Sequence, residues 1–342
     1  MQELRKDPIH GRWVIIAAER NNRPTDYSTV AHPGTRVSCP FCSGNEVHTP
    51  PEVLSYRNSG GPDEPGWRVR VVPNKYPALQ SQGGGEVRRE GLFESRNAIG
   101  AHEVVIETPH HDVQFPDLGV DAIEEVLQAY IDRIRALRQD RRFHYVMVFK
   151  NQGPQAGATL EHTHSQIIAT PVVPHQVQEE LDGSRRHHAR TGHCLFCDIL
   201  AQESNGERWI DESEGIVALS PFAARFPFET WILPHQHAPH FEDLEPTQRR
   251  ALALTLGKIL RRLHQRLNQP PYNLVFHTAP CNESDSREYY HWHIEIMPKL
   301  TQPAGFEWGS GFYINPMSPE QAASLLRRPD DPPAEPASAE GN

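Results

Sequence analysis

Two stretches of the chain share one order of apolar and polar positions. In the first, Ile123, Leu127, Tyr130, Ile134 and Leu137 recur at three- and four-residue steps. That is the spacing of one helix face, and it predicts a helix over roughly 120–139. The apolar run FHYVMVF follows and predicts a strand. In the second, Leu252, Leu254, Ile259, Leu260 and Leu263 precede YNLVF, predicting a second helix and a second strand. Each helix is entered through an Asp-Leu turn, PDL in the first case and EDL in the other.

Residues with chemistry repeat in step with that frame. Each half carries a Cys-x-x-Cys, then a histidine before the Asp-Leu turn (His111 and His237), then a His-x-His (His162/His164 and His291/His293). The interval is 51 residues from His111 to His162 and 54 from His237 to His291. Two similar half-units are the economical reading. In LEHTHSQIIAT, a strand would turn His162, His164 and Gln166 to one face, because its side chains alternate.

Length, 342 residues, allows one large domain or two ordinary ones. Lys and Arg number 34 against 44 Asp and Glu, a net charge of −10, and basic residues form only short clusters such as Arg185-Arg186 and Arg261-Arg262. A groove following a phosphate backbone needs a basic stripe, so nucleic acid is not an expected partner. The first residues hold no apolar core ahead of a cleavage site, and no run of about 18 apolar residues occurs, which predicts a soluble cytoplasmic protein with no membrane contact. Of the 20 histidines, those in HHAR at 187–190 suit a surface loop, while most others stand beside cysteines or other histidines.

The five cysteines fall as Cys39-x-x-Cys42, Cys194-x-x-Cys197 and Cys281, the last read as an ordinary thiol. Without a secretory signal, such pairs favour metal ligation or redox chemistry over a structural disulfide. Two thiolates with two distant imidazoles make a tetrahedral zinc set. The first would be Cys39, Cys42, His111 and His162, and the second Cys194, Cys197, His237 and His291. Spacing leaves His110 and His240 open as competitors.

EHTHSQ, with CPFC upstream and a duplicated frame, resembles the galactose-1-phosphate uridylyltransferase family, the transferase branch of the histidine-triad superfamily. The likeness covers nearly the whole chain, from ERNNRP through PNKYP and KNQGPQAGATLEHTHSQ to AGFEWGSGFYINP. It implies an α+β fold of two tandem histidine-triad-like units, with antiparallel sheets forming half-barrels and helices packed on them. Residues 1–185 would be the catalytic unit and 186–328 a structural one. The proline-rich acidic tail 329–342 has a disordered composition.

The resemblance also implies a double-displacement nucleotidyl transfer between a nucleotide sugar and a sugar phosphate, in a homodimer. His164 would attack the α-phosphorus and carry the nucleotide. His162 would ligate zinc, and Gln166 would hold phosphoryl oxygens. Arg20, Arg23, Asn74, Asn151 and Thr159 would bind substrate. A neutral imidazole is nucleophilic near neutral pH, since its ordinary pKa is about 6.5. An amide in the third position can hydrogen-bond but not act as acid or base, so the intermediate can wait for its acceptor.

The second half departs from that pattern. Glu295 stands where Gln166 stands, and Trp292 replaces Thr163. A carboxylate would repel a nucleotide phosphate, which leaves one catalytic half and one structural half. Some family members hold a metal here through residues matching Glu180, His277, His291 and His293, an alternative to the cysteine set, and iron in place of zinc is open at this second site. Glu307 and Trp308 stand where a basic-aromatic pair is often found, which leaves the acceptor open. The related nucleoside-diphosphate-sugar phosphorylases pass an adenylyl group, as from ADP-glucose, to inorganic phosphate. A reading of another class is a non-catalytic binding module organised by zinc.

Overall fold

A computed structural model of the chain describes residues 3–10, 13–16, 39–83, 86–281 and 285–327. Arg20, Arg23 and the 329–342 tail lie outside the described residues. The first part runs through β1 (Glu3–Lys6), β2 (Trp13–Ile16), β3 (Leu54–Arg57), β4 (Trp67–Pro73), β5 (Val87–Glu90), β6 (Phe93–Arg96) and β7 (Ala101–Ile106). It continues through helix α1 (Val120–Leu137) to β8 (Tyr145–Gln152) and β9 (His164–Thr170). Helices α2 (His175–Thr191) and α3 (Leu195–Glu203) lead to β10 (Trp209–Ser213), β11 (Ile216–Leu219), β12 (Thr230–Pro234), α4 (Pro246–Leu267), β13 (Tyr272–His277), the short α5 (Ser286–Tyr289) and β14 (His293–Pro298). The last elements are α6 (Gly305–Ser310), β15 (Tyr313–Asn315) and α7 (Pro319–Arg327).

Ten strands form one open antiparallel sheet in the order β10-β11-β12-β14-β13-β8-β9-β7-β4-β3. The order reads the same from either end once β3 is matched with β10, β4 with β11, β7 with β12, β9 with β14 and β8 with β13. The repeat inferred from the sequence is therefore a pseudo-two-fold. Its halves join edge to edge, β8 pairing with β13 from Val148↔Phe276 to Gln152↔Tyr272. Strands β1, β2 and β15 make a separate small sheet.

Helix α1 ends within two residues of the expected boundary, and its apolar stripe is buried as the periodicity requires. Helix α4 starts at a capping box in which Glu245 and Gln248 satisfy each other's backbone, with Pro246 at the first helical position. It stops at Asn268, whose φ of 53° is left-handed. The two helices pack side by side on one sheet face. There Ile123, Tyr130 and Ile134 share one continuous core with Leu252, Leu256 and Ile259.

The opposite face carries the cysteine-bearing segments. In the first half it is covered by the segment after Cys39, whose Phe41 packs with Trp67, Val72, Val104 and Ile106. The Trp67 indole N–H donates to Glu46 at 2.7 Å and fastens that segment to β4. In the second half Phe196, the matching residue of the second Cys-x-x-Cys, packs with Val217, Leu219, Trp231 and Leu233.

Two local expectations are corrected. HHAR lies in helix α2, not in a loop; the helix is so polar that only Val177, Leu181 and a few small or shielded residues face inward, which hides its periodicity. His187 there meets Asp198 at 2.6 Å. His162 and His291 stand two residues ahead of β9 and β14, which begin at His164 and His293. Each is held by its ring to a carbonyl of the neighbouring chain, Thr108 and Pro234, instead of by strand alternation. Among the described residues no helix is long and apolar enough to cross a membrane.

Candidate active site and metal centres

Cys39, Cys42, His111 and His162 come together, their ligand atoms all within 4.8 Å of one another. His162 Nδ1 lies 3.8 Å from Cys39 Sγ and 3.7 Å from Cys42 Sγ, and His111 Nδ1 lies 3.5 Å from Cys42 Sγ. His162 donates from Nε2 to the Thr108 carbonyl at 2.7 Å, so its Nδ1 lone pair faces the sulfurs. Burial, with Cys39 next in importance, pushes the Cys42 thiol up to about 11, so a dication is what would keep both sulfurs as thiolates. The competitor His110 is outside the group.

His164 is buried two residues on and points its ring toward Phe41, edge to face at 5.2 Å. It donates from Nδ1 to the His162 carbonyl at 2.7 Å, which leaves the lone pair on Nε2. Burial first, and then Lys150, lowers its pKa below the ordinary histidine value, so the ring is neutral near pH 7.

Beneath this strand lies a polar network that sequence reasoning missed. Lys150 and Glu107, both buried, pair at 2.7 Å. Lys150 also donates to Thr163 Oγ1 at 2.8 Å and to the His164 carbonyl at 3.0 Å. Glu107 accepts from the hydroxyls of Thr163, Ser165 and Tyr130. One ion pair thus grips the residues on both sides of His164. The only sequence signal was a lysine and a glutamate inside otherwise apolar strand runs.

Gln166 shares the face of His164, and its Oε1 lies 2.8 Å from His102 Nε2. Asn74 is adjacent, with Nδ2 3.1 Å from the same nitrogen and Oδ1 accepting from the Tyr76 N–H. A cleft of about 540 Å³ opens beside Asn74 and His102, lined also by Leu79, Gln80 and Phe143. Asn151 sits on β8, where its Oδ1 accepts from Asn273 of the other half at 2.9 Å. Thr159 is exposed in the loop between β8 and β9. That loop turns on Gly153 and Gly157, at φ 80° and 91°, a conformation that favours glycine.

The second half repeats the cysteine-histidine geometry without the rest. Cys194, Cys197, His237 and His291 converge within the same 4.8 Å limit. His237 and His291 direct Nδ1 to Cys197 at 3.6 and 3.7 Å and donate from Nε2 to the carbonyls of Arg287 and Pro234. His291 has both ring nitrogens engaged there, so of the alternative set only Glu180, His277 and His293 come together, as a separate buried group that could itself hold a metal ion. His240 is apart from both, beside Arg138.

His293 matches His164 and donates likewise to the His291 carbonyl, yet its surroundings differ. It stacks on His277 at 4.5 Å. Burial, then His277, lowers its pKa to about 4. By register Val104 opposes Gln166 and Trp231 opposes Glu295, so Glu229 holds the place of His102. Arg225 fills the gap, meeting Glu229 at 3.0 Å and Glu295 at 2.6 Å. The place where the first half keeps an amide is taken by a closed ion-pair cluster.

A neutral, carbonyl-fixed imidazole beside an amide and a cleft, braced by two cysteine-histidine centres on a duplicated antiparallel sheet, defines a nucleotidyltransferase of the histidine-triad kind. The chain belongs to the galactose-1-phosphate uridyl transferase family: the family's N-terminal domain model matches residues 1–174 and its C-terminal domain model residues 180–327. It is 40% identical over 332 residues to an ADP-glucose phosphorylase of Arabidopsis thaliana, covering 95% of this chain and 92% of that one. It is 30% identical over 335 residues to the galactose-1-phosphate uridylyltransferase of Thermotoga maritima, covering 96% and 98%. The crystal structure of an Arabidopsis ADP-glucose phosphorylase with bound ADP-glucose superposes with a TM-score of 0.83 at 38% identity, covering 96% of this chain and 99% of that one. A uridylyltransferase structure gives 0.75 at 31%, covering 96% and 97%.

Proposed function

We propose that the protein transfers a nucleotidyl group from a nucleotide sugar in two displacements through His164. The observation that carries this is the Nδ1–H bond from His164 to the His162 carbonyl, which frees Nε2 on the face shared with Gln166. In the first step Nε2 bonds to the α-phosphorus, and the phosphorus–oxygen bond to hexose 1-phosphate breaks. The hexose 1-phosphate leaves with the electron pair. As the ring becomes cationic, the His162 carbonyl supports the charge. In the second step a phosphate oxygen of the acceptor attacks and the phosphorus–nitrogen bond breaks. Gln166 holds phosphoryl oxygens without offering water a proton relay. Asn74 and Asn151 flank the bound nucleotide, while Arg20, Arg23 and Thr159 are assigned to substrate on the family likeness alone.

The acceptor reading is hexose 1-phosphate with a uridylyl group, the reaction of the Thermotoga relative's name. A second reading, adenylyl transfer to inorganic phosphate, is favoured by the higher identity to the Arabidopsis enzyme. It is also favoured by α6, where Trp308 is exposed and Glu307 caps its own helix at the Ala304 N–H. Zinc in each cysteine-histidine centre would tie a Cys-x-x-Cys segment to the entry of a strand, through Cys39, Cys42, His111 and His162 in one and Cys194, Cys197, His237 and His291 in the other. We take the first half as catalytic, the second as structural, and the protein as a cytoplasmic homodimer.

The test mixes the purified protein with UDP-glucose or ADP-glucose radiolabelled in the nucleoside or the α-phosphate and maps retained label. Label on wild type and none on a His164→Asn variant that melts normally is expected. Exchange above a few per cent of wild type in that variant would sink the assignment. Galactose 1-phosphate against inorganic phosphate as chaser identifies the acceptor.

A further inference from the structure

The orientation of the Gln166 amide is set by another residue. Ala78 donates its backbone N–H to His102 Nδ1 at 3.1 Å, so that nitrogen carries the lone pair and the ring hydrogen is on Nε2. Around Nε2 stand Asn74 Nδ2 and Gln166 Oε1. The Asn74 amide is fixed with its nitrogen inward, because its oxygen accepts from the Tyr76 N–H. Gln166 Oε1 is then the one acceptor of the three atoms, and it receives the His102 hydrogen at 2.8 Å; the Asn74 NH2, itself a donor, makes no hydrogen bond to Nε2 in this tautomer.

This matters because a glutamine amide has nearly the same shape either way round. One orientation offers an NH2 to a phosphoryl oxygen, and the other opposes it with a carbonyl. The second half supports the same logic by contrast. At the equivalent positions Glu229 and Glu295 are both acceptors, and a donor from elsewhere, Arg225, has to bridge them.

We propose that His102 is a positioning residue, whose Nε2–H holds the Gln166 carbonyl so that the amide NH2 faces the transferring phosphoryl group. The proposal rests on the reading of Gln166 as a phosphoryl-oxygen partner. It had no sequence signal, since a lone histidine in IGAHEVVIE resembles any half-buried polar strand position.

The test is a double-mutant cycle on single-turnover labelling of the enzyme from the nucleotide sugar. His102→Leu is expected to lower the labelling rate about ten- to a hundredfold, as expected for losing a hydrogen bond to a charged group. The donor concentration for half-saturation and the melting midpoint should stay near wild type. His102→Gln, which keeps a donor near the Nε2 position, should recover most of the rate. In a Gln166→Ala background His102→Leu should add nothing. If Gln166→Ala itself labels normally, the role of Gln166 falls, and the proposal with it. If Gln166→Ala is impaired but His102→Leu labels normally, or its effect simply multiplies that of Gln166→Ala, the proposal is overturned while the role of Gln166 stands. If His102→Leu fails to fold, His102→Gln and His102→Phe decide: equal rates in the two refute a donor role.

Discussion

Replacing Lys150 by methionine removes the cation under the strand that carries His164 while leaving a side chain of similar length. Lys150 and Glu107 are each 1% exposed, so the carboxylate left behind has no access to water. Breaking a buried pair by deleting one partner costs about 3–5 kcal/mol. Glu107 would keep three hydroxyl donors, from Thr163, Ser165 and Tyr130, which places the loss toward the lower end, about 3 kcal/mol. Lys150→Met/Glu107→Gln, which removes both charges, should recover much of that loss and fall well short of the two single costs added together. Urea unfolding of the metal-loaded protein reads all three variants, and the labelling rate should fall in Lys150→Met because the His164 carbonyl loses its donor. A single-variant cost under about 1 kcal/mol, the range of exposed pairs, would refute the reasoning. So would additivity in the double variant.

Metal analysis should find about two metals per chain, falling to about one in Cys39→Ser/Cys42→Ser. Chelation should lower the melting midpoint, and a metal-free wild type would defeat the two-centre reading. Gln166→His should raise release of free UMP or AMP in the absence of acceptor, because imidazole can relay a proton and amide cannot. A folded variant that forms the intermediate and holds it as long as wild type does would contradict that role. Labelling of His164 should be flat from about pH 8 down to the ordinary histidine pKa of about 6.5, then fall, because burial and Lys150 keep the native ring neutral. The linkage has the same sign: as pH drops below about 6.5 the unfolded chain takes up this proton before the native one, so stability is lost toward acid. An acid limb centred at or above 6.5 would contradict the depressed value.

Much of the fold was legible because it was written twice. Periodicity located α1 and the strand after it, and recurrence of the cysteine and histidine spacings placed both cysteine-histidine groups at His111 and His237, while the structure leaves the competitors His110 and His240 outside them. What escaped notice depends on contacts between distant segments. Nothing local in FKNQ or VIETP marks Lys150 and Glu107 as partners, because 43 residues separate them. His102 is given its role by Ala78 and Gln166, one on a loop and the other on the next strand. The divergence at Glu295 was visible, but not Arg225, which neutralises it from a loop seventy residues away.

The join between β8 and β13 has a consequence for how the two halves could diverge. An antiparallel pair of matching strands about a pseudo-two-fold has the geometry of an isologous dimer interface, here formed inside one polypeptide. In a true homodimer every substitution appears on both sides of the axis, so a carboxylate in place of the Gln166 amide would stand in both pockets together. Once a single chain supplies both sides, the two copies can be altered separately. The sheet still needs both for its central pairing and shared core, since either half alone would expose an inner strand as an edge. Under the proposed function the second copy is retained for its surface, and Arg225 with its two glutamates fills the pocket where the first copy keeps Gln166.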